Sequence, residues 1–152
     1  MTRANARELA VHLIYAREFT GDEPEQIIAT RLEKEYYSNL AAENQVYEER
    51  PSRAQREYID RVVLGVINRT DELNMIISQY SIDWDITRIS RLTRAAMQLA
   101  IFEILNMEDI PTGVAISEAV RIVKLYDSKE AAHFVNGILG NFARNLPSGV
   151  EA

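Results

Sequence analysis

Between Ile110 and Gly140 two apolar stripes meet across a short break, both with the three-and-four spacing of a helix face. Strands, with their period of two, do not satisfy that spacing. The first stripe is Ile116, Ala119, Val120, Val123 and Tyr126, with Glu118, Arg121 and Lys124 on the polar side. Pro111 suits the first turn of that helix or the residue before it, where its missing N–H needs no partner. Tyr126-Asp127-Ser128 interrupts the pattern, and Ser128 is a good N-cap for the next helix. The second stripe is Ala131, Phe134, Val135, Ile138, Leu139 and Phe142. Gly137 and Gly140 fall inside it. A glycine within a helix costs roughly 1 kcal/mol against alanine, which predicts close approach of another helix as the offset. Asn136 reads as a satisfied buried amide.

The remaining chain is helical in pattern as well. Ala6, Leu9, Ala10, Leu13 and Ile14 predict a first helix over 3–19, ended by Gly21. A second helix starts near Asp22-Glu23-Pro24, with acids in its first turn to suit the helix dipole. It fades near Tyr36-Tyr37-Ser38, and residues 38–51 read as a loop or frayed helix. Ser52 to Gln55 fits a capping box. It opens one long helix over 52–80, roughly 43 Å at 1.5 Å per residue, with Gly65 in its middle. Trp84-Asp85-Ile86 reads as a short helical turn, with Trp84 and Ile89 pinning it to the core. Residues 92–105 are apolar nearly all round, as expected of the helix at the centre of the second half. The expected fold is all-α, with about seven helices, halves at 1–80 and 81–146, and a disordered tail over 147–152.

The formal charge of −6 is local. Residues 22–49 hold eight acidic and two basic residues, and the rest of the chain is neutral, so basic patches elsewhere remain compatible with an anionic partner. There is no cysteine, which agrees with a reducing cytoplasm and leaves no thiolate metal site or cysteine nucleophile. No apolar h-region opens the chain, and no apolar run approaches the ~18–20 residues that span a bilayer. His12 and His133 stand in no metal-ligand spacing, and no phosphate-binding glycine loop is present. Glu103 and Glu118 lack a nearby nucleophile and read as structural. Arginine carries the remaining signal, as Arg3 with Arg7, as Arg50, Arg53 and Arg56, and as Arg88, Arg91 and Arg94. By composition alone each group is a solvated face. Periodicity alone places Phe134 in the core.

The pair IPTGVAISEAV and FVNGILG resembles the NusB family of transcription antitermination factors. Val114-Ala115-Ile116, Glu118-Ala119 and Phe134-Val135-Asn136-Gly137 match the family's VAINEA and KFVNGVL wording. Ser117 stands where the family usually has Asn, and His133 where it often has Lys. The likeness extends from Ala6-Arg7-Glu8 to Leu139. It implies a bundle of two packed three-helix halves with no catalytic residue, cofactor or metal. It implies binding of boxA-type single-stranded RNA from ribosomal RNA leader transcripts, with the ribosomal protein NusE as partner and the transcription elongation complex as the setting. The implied RNA residues are Arg3 and Arg7 of the first helix, Tyr58 on the exposed flank of the long helix, and Lys129, Glu130, His133 and Phe134 at the start of the last. Tyr15 matches a family position on the NusE surface. Ala4 and Asn5 stand where the family can be arginine-rich. Two alternatives come with the resemblance. One is a scaffold that recruits NusE with little RNA affinity of its own. The other is a piece of a ribosomal RNA cytosine methyltransferase, disfavoured because these 152 residues contain no βαβ unit or glycine-rich cofactor loop.

Overall fold

A computed structural model describes residues 1–81 and 89–147. Among these residues there are eight α-helices, one 3₁₀ turn and no strand. The chain divides into two compact units, residues 1–67 and 68–152.

The first unit contains α1 (Arg3–Thr20), α2 (Pro24–Arg31), α3 (Lys34–Leu40), the 3₁₀ turn Gln45–Tyr47 and α4 (Arg53–Asn68). Thr2 caps α1, its hydroxyl accepting from the Asn5 N–H at 3.0 Å. Gly21 ends it in the left-handed region at φ 68°, its N–H donating to the Arg17 carbonyl, a conformation that favours glycine. The single second helix read from the sequence is two. At Glu33 the backbone turns extended, and its carboxylate accepts from the N–H groups of Glu35 (3.1 Å) and Tyr36 (2.9 Å) to start α3. The stretch read as loop or frayed helix over 38–51 is anchored from below. Buried Tyr37 donates its hydroxyl toward the carbonyls of Val46 (3.2 Å) and Glu49 (2.6 Å). Its ring meets Tyr47 edge-on, and Tyr47 stacks on His12. The capping box at Ser52 forms as expected, with reciprocal bonds to Gln55 of 3.2 and 2.8 Å.

The second unit contains α5 (Thr70–Tyr80), α6 (Arg91–Asn106), α7 (Thr112–Tyr126) and α8 (Lys129–Arg144). The long helix expected over 52–80 therefore breaks, at Arg69 and not at Gly65. Asp71 and Glu72 suit the first turn of a new helix. Arg69 holds that start in place, donating to Asn106 Oδ1 at 2.7 Å with its guanidinium over the Phe102 ring. The unit boundary falls at this break rather than at residue 80, because α5 packs on α6 and α8. Helix α6 touches α5, α7 and α8, the central place its apolar sequence implies. Pro111 is the residue before α7, and Ser128 caps α8 by accepting from the Ala131 N–H at 3.0 Å.

The packed faces of α7 and α8 differ from those expected of the sequence. The buried stripe of α7 is Thr112, Ala115, Ala119, Ile122 and Val123, one step round from the apolar residues chosen by spacing; Tyr126 is exposed. In α8 the buried residue of the first turn is Ala132 and not Ala131. Asn136 and Gly137 are exposed, so the amide is not a core group. A Cβ on Gly137 would meet nothing within 4 Å, and one on Gly140 only the Arg144 side chain, so neither glycine marks a helix crossing. The short turn read at 84–86, with Trp84, lies outside the described residues, as does Arg88. Ile89 is buried.

Candidate nucleic-acid interface

In the first unit the start of α1 is tied to the start of α4. The Met1 ammonium pairs with Glu49 at 2.7 Å, and Gln55 Nε2 donates to the Met1 carbonyl. This tether sets the first turn of α1 beside Tyr58. The Arg3 guanidinium lies over the Tyr58 ring, 4.3 Å from its centre, and the Arg7 guanidinium lies 5.9 Å from it. Three residues far apart in sequence thus form one cluster. Arg3 is exposed, whereas Arg7 and Tyr58 are buried, each only 5% accessible. Tyr58 is not on an exposed flank, as its position in the sequence implied. The arginines cover its face, a contact worth about 0.5–1 kcal/mol at exposed sites. The exposed Arg3 guanidinium, though over the ring, still offers an outer plane and N–H donors, the groups that stack on bases and hold phosphates.

Arg50, Arg53 and Arg56 do not form a comparable group. Arg50 donates to the Leu32 carbonyl at 3.1 Å, Arg56 bonds Asp60 at 3.0 Å, and Arg53 faces Glu57 at 3.7 Å. Tyr15 is half-buried on α1 and meets Phe19 edge-on, with ring centres 4.9 Å apart. Phe19 is 58% exposed, so the two rings make an aromatic patch. Phe19 was not singled out by sequence reasoning, although its i+4 spacing from Tyr15 was legible. His12 Nδ1 lies 2.8 Å from the Tyr47 hydroxyl, and burial pushes the pKa of the ring below its usual value.

In the second unit Lys129, Glu130 and His133 are exposed on the first turns of α8. Phe134 is buried at 7% exposure, and one part of it reaches a cavity of about 150 Å³. Ser90, Thr93, Asp127, Ser128 and Glu130 also line that cavity. Asp127, itself exposed, gathers the polar groups of this lining. One carboxylate oxygen accepts from the hydroxyls of Ser90 (2.8 Å) and Thr93 (2.7 Å), and the other from the Ser128 N–H (2.8 Å). Burial opposes ionisation of Asp127, but these hydrogen bonds outweigh it and hold the carboxyl below its usual pKa. Sequence reading missed this cluster; the capping signal at Ser90, whose hydroxyl accepts from the Thr93 N–H at 3.1 Å, was the available clue.

Among the described residues no group of three or more His, Asp or Glu side chains is placed to hold a metal ion, and no helix is long and apolar enough to cross a membrane. Glu118 pairs with Arg121 at 2.8 Å, and Glu103 is fully buried. The class this defines is an all-α protein with an arginine–tyrosine surface on one unit and an oxygen-lined cavity on the other.

The NusB family matches residues 4–144. The chain is 39% identical to the transcription antitermination protein NusB of Acetivibrio thermocellus, over 95% of this chain and 90% of the relative. It is 31% identical to that of Symbiobacterium thermophilum, over 100% and 95% respectively. The fold is similar to the NusB structure of T. maritima, with a TM-score of 0.75 and 26% identity over 99% of this chain and 96% of that one. It is also similar in fold to a chain in the crystal structure of antitermination factors NusB and NusE in complex with dsRNA. That match has a TM-score of 0.72 and 22% identity, over 95% and 97% of the two chains. The chain belongs to the NusB family.

Proposed function

We propose that the chain is a non-catalytic, RNA-binding transcription antitermination factor. It binds boxA-type single-stranded RNA of ribosomal RNA leader transcripts together with NusE, as part of a transcription elongation complex in the cytoplasm. The observation that carries this reading is the cluster of Arg3 and Arg7 over Tyr58. The chain's membership of a family of antitermination proteins supports it, and its likeness in fold to a chain of a complex of NusB and NusE with dsRNA is compatible with NusE and an RNA as partners. On the first unit Arg3 stacks on a base and Arg7 steadies the Tyr58 ring. On the second unit the exposed Lys129 and His133, beside Glu130, contact the backbone or bases. Phe134 supports the α8 contacts from the core. The Tyr15–Phe19 patch is the proposed NusE surface.

The second reading, a scaffold for NusE with little RNA affinity, draws on the same exposed Phe19 and on the formal charge of −6. Titrating labelled RNA into the chain with and without NusE separates the two. Binding that depends on Arg3 supports the first, and NusE binding with no RNA binding in either condition supports the second.

A further inference from the structure

Gln55 uses both ends of its side-chain amide. Its Oε1 accepts from the Ser52 N–H at 2.8 Å, and its own backbone N–H donates to Ser52 Oγ at 3.2 Å, which completes the capping box of α4. That work needs only a side-chain acceptor, and glutamate does it as well as glutamine. The other end of the amide, Nε2, donates to the Met1 carbonyl, 54 positions earlier in the chain. Of the two residue types that complete a capping box, only glutamine has this donor.

The same bond sets the arginine–tyrosine cluster. After Met1 come Thr2, the N-cap of α1, whose carbonyl accepts from the Ala6 N–H at 3.0 Å, and then Arg3, the first helical residue. On α4, Gln55 and Tyr58 lie one turn apart on one face. Holding Met1 on Gln55 therefore sets Arg3 on Tyr58, its guanidinium 4.3 Å from the ring centre. Gln55 is half-buried and Arg3 is exposed. A long exposed side chain loses rotamer freedom when a ligand orders it, and fixing its backbone and its stacking partner beforehand lessens that cost.

We propose that Gln55 is a positioning residue for RNA binding: by donating to the Met1 carbonyl it keeps Arg3 stacked on Tyr58 with its outer plane free for a base. Gln55 acts through Arg3 and not on the RNA. The inference rests on the RNA-binding reading above.

The test is a double-mutant cycle on the full chain, read by anisotropy with labelled boxA-type single-stranded RNA in the presence of NusE. Gln55→Glu keeps the capping acceptor and lacks the donor. Its melting temperature should stay near that of the wild type, and its RNA affinity should fall about three- to tenfold, the range of one neutral hydrogen bond. Ser52→Asp controls for charge, because aspartate also caps a helix, adds the same charge and leaves the Gln55 donor in place. It should bind RNA more tightly than Gln55→Glu. In the Arg3→Ala background Gln55→Glu should have no further effect, whereas an effect of charge or stability would persist there. Proton NMR of the free chain adds a readout that a merely structural role would not move. The Arg3 side-chain protons, shifted upfield by the Tyr58 ring, should move toward free-arginine values in Gln55→Glu and stay in place in Ser52→Asp. Wild-type affinity in Gln55→Glu, or a loss of the same size with and without Arg3, overturns the proposal and leaves the RNA-binding reading standing. So do Arg3 signals that Gln55→Glu does not move. No RNA binding by the wild-type chain overturns both.

Discussion

The Arg3 guanidinium lies 4.3 Å from the centre of the Tyr58 ring, joining the first turn of α1 to a residue 55 positions later on α4. The ring face supports the cation, so Tyr58→Phe should keep RNA affinity within about twofold, because cation–π attraction needs the ring and not the hydroxyl. Tyr58→Leu should lower it several-fold, read on the folded fraction because the ring is buried and its loss also lowers the melting temperature. Equal RNA affinity for Phe and Leu variants, by anisotropy, would show that the stack has no part in binding.

Gly137 is exposed in the middle of α8 with open space where a Cβ would go. Gly137→Ala should therefore stabilise the protein by about 0.5–1 kcal/mol. Urea denaturation measures this. A destabilised alanine variant would mean that the glycine is needed for packing within the chain.

Phe134 is buried among the core residues of α8. Phe134→Ala should destabilise by about 3–5 kcal/mol, large enough that its effect on RNA must be read on the folded fraction. A change below about 1 kcal/mol in thermal unfolding would place the ring outside the core.

Two pH effects have opposite signs. Burial raises the pKa of Tyr37 to about 12 from its usual 10.0. The folded state holds that proton more tightly, so the associated stability is complete below pH 10 and is lost as pH rises through about 12. Tyr37→Phe should reduce this alkaline slope and leave the share of Tyr47, whose pKa burial also raises to about 12. It also leaves the Val46 and Glu49 carbonyls without the hydroxyl, at a cost of about 1–3 kcal/mol near neutral pH. For His12 burial lowers the pKa below 6.5. The unfolded chain then takes up the proton first, so stability falls as pH drops below 6.5, until the folded pKa is passed. His12→Asn should flatten that acid-side slope in denaturation curves at pH 7.5 and 5.5, and an unchanged slope would assign it to other groups.

Much of this architecture was legible because the governing signals are local. Ser52 with Gln55, Gly21, Pro111 and Ser128 each act through their own few neighbours, and each stands at the helix end its type implies. The missed breaks depend on other physics. Glu33 is not a favoured capping type, yet its carboxylate accepts the two N–H groups that open α3. The break at Arg69 is held by Asn106 and Phe102, 37 and 33 residues away, which no periodicity reports. Site residues follow the same division. Their types suited RNA, but that Tyr58 is covered by arginine, and that Asp127 gathers Ser90 and Thr93, are tertiary facts.

The most direct test of the account is an anisotropy titration of labelled boxA-type single-stranded RNA, with the wild-type chain and Arg3→Ala compared in the presence of NusE and in its absence. Arg3 is exposed, so its loss should leave the melting temperature nearly unchanged. The wild-type chain should bind the single strand in preference to a duplex of the same sequence, and more tightly with NusE. Arg3→Ala should weaken binding about tenfold and reduce the salt dependence by about 0.7 log units per tenfold change in salt for each phosphate that Arg3 neutralises. Equal affinity of wild type and Arg3→Ala at every salt concentration, with NusE bound, would contradict the account.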